Sequence, residues 1–129
     1  MKKTMVLLLS GSILLAACHK NNEKTASDKV QGKWTFVSEI ENSNDTGQPQ
    51  MDTLTGGPSD YFDFRNDGKV YRKLYSYMDT LPYTVLSDRY ILFNGDSTEI
   101  KTLTDSSFVL YDKLVYGQYW DEVTVTLKK

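Results

Sequence analysis

Asp60-Tyr61-Phe62-Asp63-Phe64-Arg65-Asn66-Asp67-Gly68-Lys69-Val70 reads as strand, tight turn and returning strand. Phe62 and Phe64 face one way, the period-2 signature of a half-buried strand. Asn66-Asp67-Gly68 supplies residues that tolerate positive φ, as a hairpin turn requires. Asp60 to Arg65 is therefore one strand, and Lys69 to Tyr77 is its return. Six more segments follow the same logic. Gly32 to Glu41 comes first, with Trp34, Phe36 and Ile40 on one face and Thr35, Glu39 and Glu41 on the other. Pro82 to Ser87 and Arg89 to Asn94 flank a turn at Ser87-Asp88. Thr98 to Leu103 follows Asn94-Gly95-Asp96, Phe108 to Val115 follows Asp105-Ser106, and Tyr119 to Leu127 follows Gly117. In the last strand Val123, Val125 and Leu127 alternate with Thr124 and Thr126.

Composition agrees with the pattern. Residues 30–129 contain no alanine, the best helix former, but eight Val, three Ile, eleven Thr, five Phe, two Trp and nine Tyr. These residue types suit a pleated surface. The fold class is all-β. Short connections predict a small up-and-down antiparallel β-barrel of about eight strands, in which closure removes exposed strand edges. A β-sandwich is the alternative, because the same alternation serves both.

The first 29 residues have a different character. Lys2 and Lys3 precede an apolar run, Met5 to Ala17, that is too short to span a bilayer and fits a secretory signal. Leu15-Ala16-Ala17-Cys18 resembles a bacterial lipobox, in which the cysteine is lipidated and becomes the mature N-terminus. The expected organisation is a lipoprotein signal peptide over 1–17, lipidated Cys18 with a flexible polar tether over 18–29, and a barrel domain over 30–129. Cys18 is the only cysteine, so no intramolecular disulfide is expected. Acyl chains on Cys18 provide the membrane partner, each buried methylene contributing about 0.8 kcal/mol. His19 stands where aspartate marks inner-membrane retention in enteric bacteria. No acidic run follows Cys18. Both point to the outer membrane, facing the periplasm.

Charge and side-chain chemistry exclude several classes. The chain carries a net charge of −2, and basic residues alternate with acidic ones without forming a stripe, so nucleic acid is not an expected partner. The only histidine is His19. The domain therefore offers neither a histidine-dependent triad nor a His/Cys zinc set. It has no glycine-rich phosphate loop, and its carboxylates sit in no distinctive motif. The expectation is a protein that is not an enzyme and uses no metal or cofactor.

Three segments carry a family resemblance. Gly32-Lys33-Trp34 resembles the Gly-x-Trp opening of lipocalins. Phe62 to Val70 and Leu103-Thr104-Asp105-Ser106-Ser107-Phe108-Val109-Leu110 resemble two hairpins of short bacterial lipocalin-like domains. In order and spacing, the chain is similar to the lipocalin-like lipoproteins of Bacteroidetes. The resemblance implies a barrel that holds a small apolar or amphipathic ligand in the envelope. It also implies a late arginine over the first-strand tryptophan, but the last arginine is Arg89. Trp34 is read as a plug at the barrel base.

The predicted ligand contacts are Phe36, Phe62, Phe64, Leu74, Leu92 and Leu110. Met51 and Leu54 would sit on a lid formed by the long connection Asn42 to Ser59. In a filled barrel the same residues are simply core; Phe64→Ala discriminates, because a ligand contact can be lost without unfolding. The alternative function is a protein-interaction module, an accessory or inhibitor subunit of an envelope complex. Its contact face would be Tyr71, Tyr75 and Tyr77 on the third strand.

Overall fold

The computed structural model describes residues 22–129, so the leader, Cys18 and His19 lie outside the described residues. A short helix, α1 (Ala26–Val30), precedes nine strands. They are β1 (Gly32–Ser43), β2 (Gln50–Thr55), β3 (Tyr61–Phe64), β4 (Lys69–Leu74), β5 (Tyr77–Val85), β6 (Tyr90–Phe93), β7 (Asp96–Leu103), β8 (Ser107–Tyr116) and β9 (Tyr119–Lys128). Spatial order is β2-β1-β3-β4-β5-β6-β7-β8-β9, and β9 pairs back onto β1. All pairings are antiparallel. Closure runs through eight strands, β1 and β3 to β9, which makes an up-and-down barrel and not a sandwich. The extra strand β2 extends the edge of β1 above β3: Gly32–Thr35 pair with β3, and Ser38–Ser43 pair with β2.

Each of the eight expected strands is present. Turn chemistry explains most of the connections. Asn94 and Gly95 both take positive φ, 51° and 95°, between the paired residues Phe93 and Asp96. Gly68 takes φ 76°, and Arg65 donates its N–H to the Lys69 carbonyl at 3.0 Å across the same turn.

One end of the barrel is sealed. Thr25 and Asp28 form a reciprocal capping box, and the Thr25 hydroxyl donates to Asp28 at 2.7 Å, which holds that carboxyl below its usual range. The helix so fixed buries Ala26 and Val30. Trp34 Nε1 donates to the Val30 carbonyl at 2.7 Å. Ala26 to Lys29, expected as flexible tether, are therefore helical, because the capping box and two apolar contacts order them. A cation does cover Trp34, and it is Lys129. Its Nζ sits 4.2 Å from the indole centroid and donates to the Gln31 carbonyl at 2.8 Å. Burial, with added repulsion from Lys24, pushes the Lys129 ammonium pKa down.

Above this plug the interior is packed with rings. Trp34 and Phe64 each contact Phe108, at centroid separations of 5.4 and 5.6 Å, and Phe64 meets Tyr83 edge-on at 5.2 Å. Phe36, Val70, Ile91, Ile100, Leu110 and Leu127 complete the core.

Four sequence expectations are corrected. First, Asn42 to Ser59 is not a lid. It finishes β1, turns, and forms β2, whose mostly polar residues Gln50–Thr55 carry no apolar alternation yet complete a backbone ladder with Ser38–Ser43. Second, the segment Lys69 to Tyr77 is broken at Tyr75, which takes φ 56° in a turn between the paired residues Leu74 and Tyr77. Pro82 consequently falls inside β5, at the point where that strand leaves the β4 ladder and joins β6.

Third, a β-bulge interrupts β1 between Phe36 and Ser38. Phe36 pairs with buried Leu127, but beyond the bulge Glu39 pairs with Val125 and Glu41 with Val123. The extra residue reverses the pleat, so Glu39 and Glu41 share the inward side of β9 and Ile40 turns outward. Fourth, Tyr71, Tyr75 and Tyr77 do not share a face, because Tyr75 occupies the turn and Tyr77 begins β5 opposite Leu74.

Asp60 is the one buried acidic side chain among the described residues. Its carboxylate accepts from Gly57 N at 2.8 Å and from Tyr75 N at 2.7 Å, joining the β2–β3 connection to the β4–β5 turn. Asp60→Ala strands both donors and should cost about 2–4 kcal/mol in urea unfolding, whereas Asp60→Asn should cost less because one acceptor survives.

Candidate functional site

The barrel axis separates two environments. The N-terminal ends of β1, β4, β6 and β8 lie toward the sealed end. Their C-terminal ends lie toward the other, with the β4–β5, β6–β7 and β8–β9 turns. Between the aromatic core and that second end lies a pocket of about 250 Å³. Its floor and walls include Phe62, Leu81, Phe93, Leu110, Val123 and Val125. Its polar lining includes Glu39, Arg72, Thr98 and Asp112.

Each polar group arrives by a definite route. The β1 bulge turns Glu39 inward. Arg72 alternates with Val70 on β4 and therefore also points in, where it meets Asp79 of β5, its register partner. Arg72 Nε donates to Asp79 Oδ1 at 2.9 Å, and its Nη2 donates to the second carboxylate oxygen. This bidentate pair is about three-quarters buried and internally neutral. Asp112 pairs with Val123 on β9 and faces the same space. Neither Glu39 nor Asp112 forms a salt bridge among the described residues.

Asp121 lies one inward position above Val123. Desolvation, and then the nearby Asp45 carboxylate, raise its pKa above the ordinary value. One of its oxygens is enclosed without a hydrogen-bond partner, as is the side-chain oxygen of Asn44. Outside the barrel wall, Lys113 donates to Glu122 at 2.6 Å, which lowers the Glu122 pKa and raises that of Lys113. These outward charges are already paired.

The predicted contacts are distributed unevenly around this pocket. Phe62 and Leu110 line it. Phe36 and Phe64 are fully buried in the packed core beneath it. Phe64 touches Phe62, Tyr83, Phe93 and Phe108, so Phe64→Ala tests the core and not the site. Leu54 and Leu74 are half-buried against the core. Leu92 pairs with Thr84 between the inward-facing Ile91 and Phe93, which directs it outward. Met51 is exposed on β2.

The tyrosines have separate tasks. Tyr71 donates to Asp67 at 2.9 Å beneath the Arg65 guanidinium, 4.1 Å from the ring centroid. Tyr75 donates to the Thr55 carbonyl at 2.8 Å. Tyr77 is exposed, as are Met78, Leu114, Val115, Tyr116 and Tyr119 near the unsealed end. Sequence reasoning missed Glu39, Arg72, Asp79 and Asp112 as site residues. The alternation of Arg72 with Val70 and Leu74 was the available signal; the inward turn of Glu39 depends on a bulge that no residue pattern announces. Among the described residues no group of acidic, histidine or cysteine side chains is placed to hold a metal ion. A comparison with protein-family models found no match, and a comparison with curated proteins found none either.

Proposed function

We propose that this is a lipid-anchored, lipocalin-like envelope protein that binds a small amphipathic molecule in the unsealed half of its barrel and carries out no catalysis. The observation that carries this reading is the 250 Å³ pocket, with an apolar floor and a few convergent polar groups. A barrel whose interior served only as core would continue the ring packing of Trp34, Phe64 and Phe108 toward the other end. Attachment through Cys18 would hold the sealed end, where α1 lies, toward the outer membrane and leave the pocket facing the periplasm. Cys18→Ala should move the protein from the membrane to the soluble fraction and abolish palmitate labelling; labelling that persists would contradict the anchor.

The pocket is tested by filling it. Val123 is half-buried on the pocket wall and outside the core cluster. Val123→Trp should remove binding of an environment-sensitive fluorescent amphiphile while the melting temperature stays within a few degrees of wild type. Unchanged binding would place the probe elsewhere. A second reading, a protein-contact module, draws on the exposed Tyr77, Met78, Leu114, Val115 and Tyr116. Cross-linking in the native envelope from a photoreactive residue at Val115 would reveal a protein partner.

A further inference from the structure

We infer that the pocket selects a cationic amphiphile, a primary amine or similar cation on a short apolar chain. This rests on the pocket reading above and specifies its ligand. The geometry begins at the β1 bulge. With an uninterrupted pleat, Ile40 would complete the apolar wall and Glu39 would be solvated. The bulge does the opposite and sets Glu39 beside Val125 and Leu110. A half-buried carboxylate next to apolar side chains loses hydration and is costly unless a partner compensates it.

Among the described residues Glu39 has no hydrogen-bond or salt-bridge partner, and Asp112 accepts only the uncharged backbone N–H of Lys113, at 2.8 Å. The lone cation in its lining is Arg72, and both carboxylate oxygens of Asp79 engage it. Among the described residues Lys73, Lys101 and Lys113 are engaged with Ser59, Glu99 and Glu122. Glu39 and Asp112 are thus left facing an apolar-floored space without a counter-charge. A ligand with a chain over Phe62, Leu81 and Leu110 and a cationic group toward these carboxylates would satisfy both parts. An anionic amphiphile would meet like charge, since Arg72 is already neutralised. The modest volume suits a short chain.

The test is calorimetric titration of the purified domain with three probes of equal chain length: octylammonium, 1-octanol and octanoate. The expected order is octylammonium first, by about tenfold over octanol, with octanoate weakest. Glu39→Gln with Asp112→Asn, both close in shape, should bring octylammonium and octanol to equal affinity. Should that variant fail to fold, the wild-type preference must shrink between low and high salt, because charge attraction is screened. Equal binding of all three probes, or preference for octanoate, overturns the cation assignment and leaves the pocket reading intact. Binding of none overturns both.

Discussion

Trp34→Ala should lower stability by about 3–5 kcal/mol, the range for removing a fully buried large aromatic side chain. That is a large share of the roughly 5–15 kcal/mol a domain has, and for about 100 residues it corresponds to a fall in melting temperature on the order of 15–30 °C. Three attachments go at once: the indole N–H bond to the Val30 carbonyl, the contact with Phe108, and the platform under Lys129. Trp34→Phe separates them. It keeps a ring but leaves the Val30 carbonyl without its donor, and should cost about 1–3 kcal/mol. Thermal unfolding by circular dichroism measures both. A Trp34→Ala protein that melts within a few degrees of wild type would show that the sealed end is not the anchor of the fold.

Gly56→Ala should be nearly as severe, for a different reason. A methyl group at Gly56 would lie 2.1 Å from the Phe36 carbonyl oxygen and 2.8 Å from its carbonyl carbon. Backbone cannot step aside as a flexible side chain can. Relief would break the Gly56 N–H bond to the Val37 carbonyl, now 2.8 Å, at the bulge that reverses β1. Overpacking usually costs about 1–3 kcal/mol, and the clash with main chain puts this substitution at or above the top of that range. Gly57→Ala is the control, since its added carbon would meet the Asp60 carboxylate at an ordinary 3.4 Å. Urea unfolding should therefore show a large loss for Gly56→Ala and a small change for Gly57→Ala. Equal effects would implicate chain entropy instead of the close approach.

Both substitutions bear on what the residues reveal before folding is known. Trp34 was legible as a plug because it is large and apolar and opens an alternating strand. The hairpins at Asn66-Asp67-Gly68 and Asn94-Gly95 were legible because positive φ demands particular residues. Gly56 was not, because its need for a bare Cα comes from a carbonyl twenty residues earlier in the chain. β2 escaped because its ladder is held by main chain, which any residue can supply. The Tyr75 turn escaped because tyrosine is unusual at φ 56° and gives no turn signal.

The site divides in the same way. Apolar residues at period 2 identify an inward face, so Phe36, Phe62, Phe64 and Leu110 were correctly drawn to the interior. Alternation alone does not say at what height along the barrel packing stops. Phe36 and Phe64 fall below that level, and Phe62 and Leu110 fall at it. The charged lining was hidden by the bulge for Glu39. Arg72 alternates with Val70 and Leu74, but Asp79 was hidden because it meets Arg72 only once the hairpin turns at Tyr75.

The most direct test of a ligand-holding barrel is native mass spectrometry of the protein extracted from its own host, set against its denatured mass. The account predicts a reproducible small mass that is released on denaturation and absent from the Val123→Trp protein. A bare barrel in both preparations would contradict it.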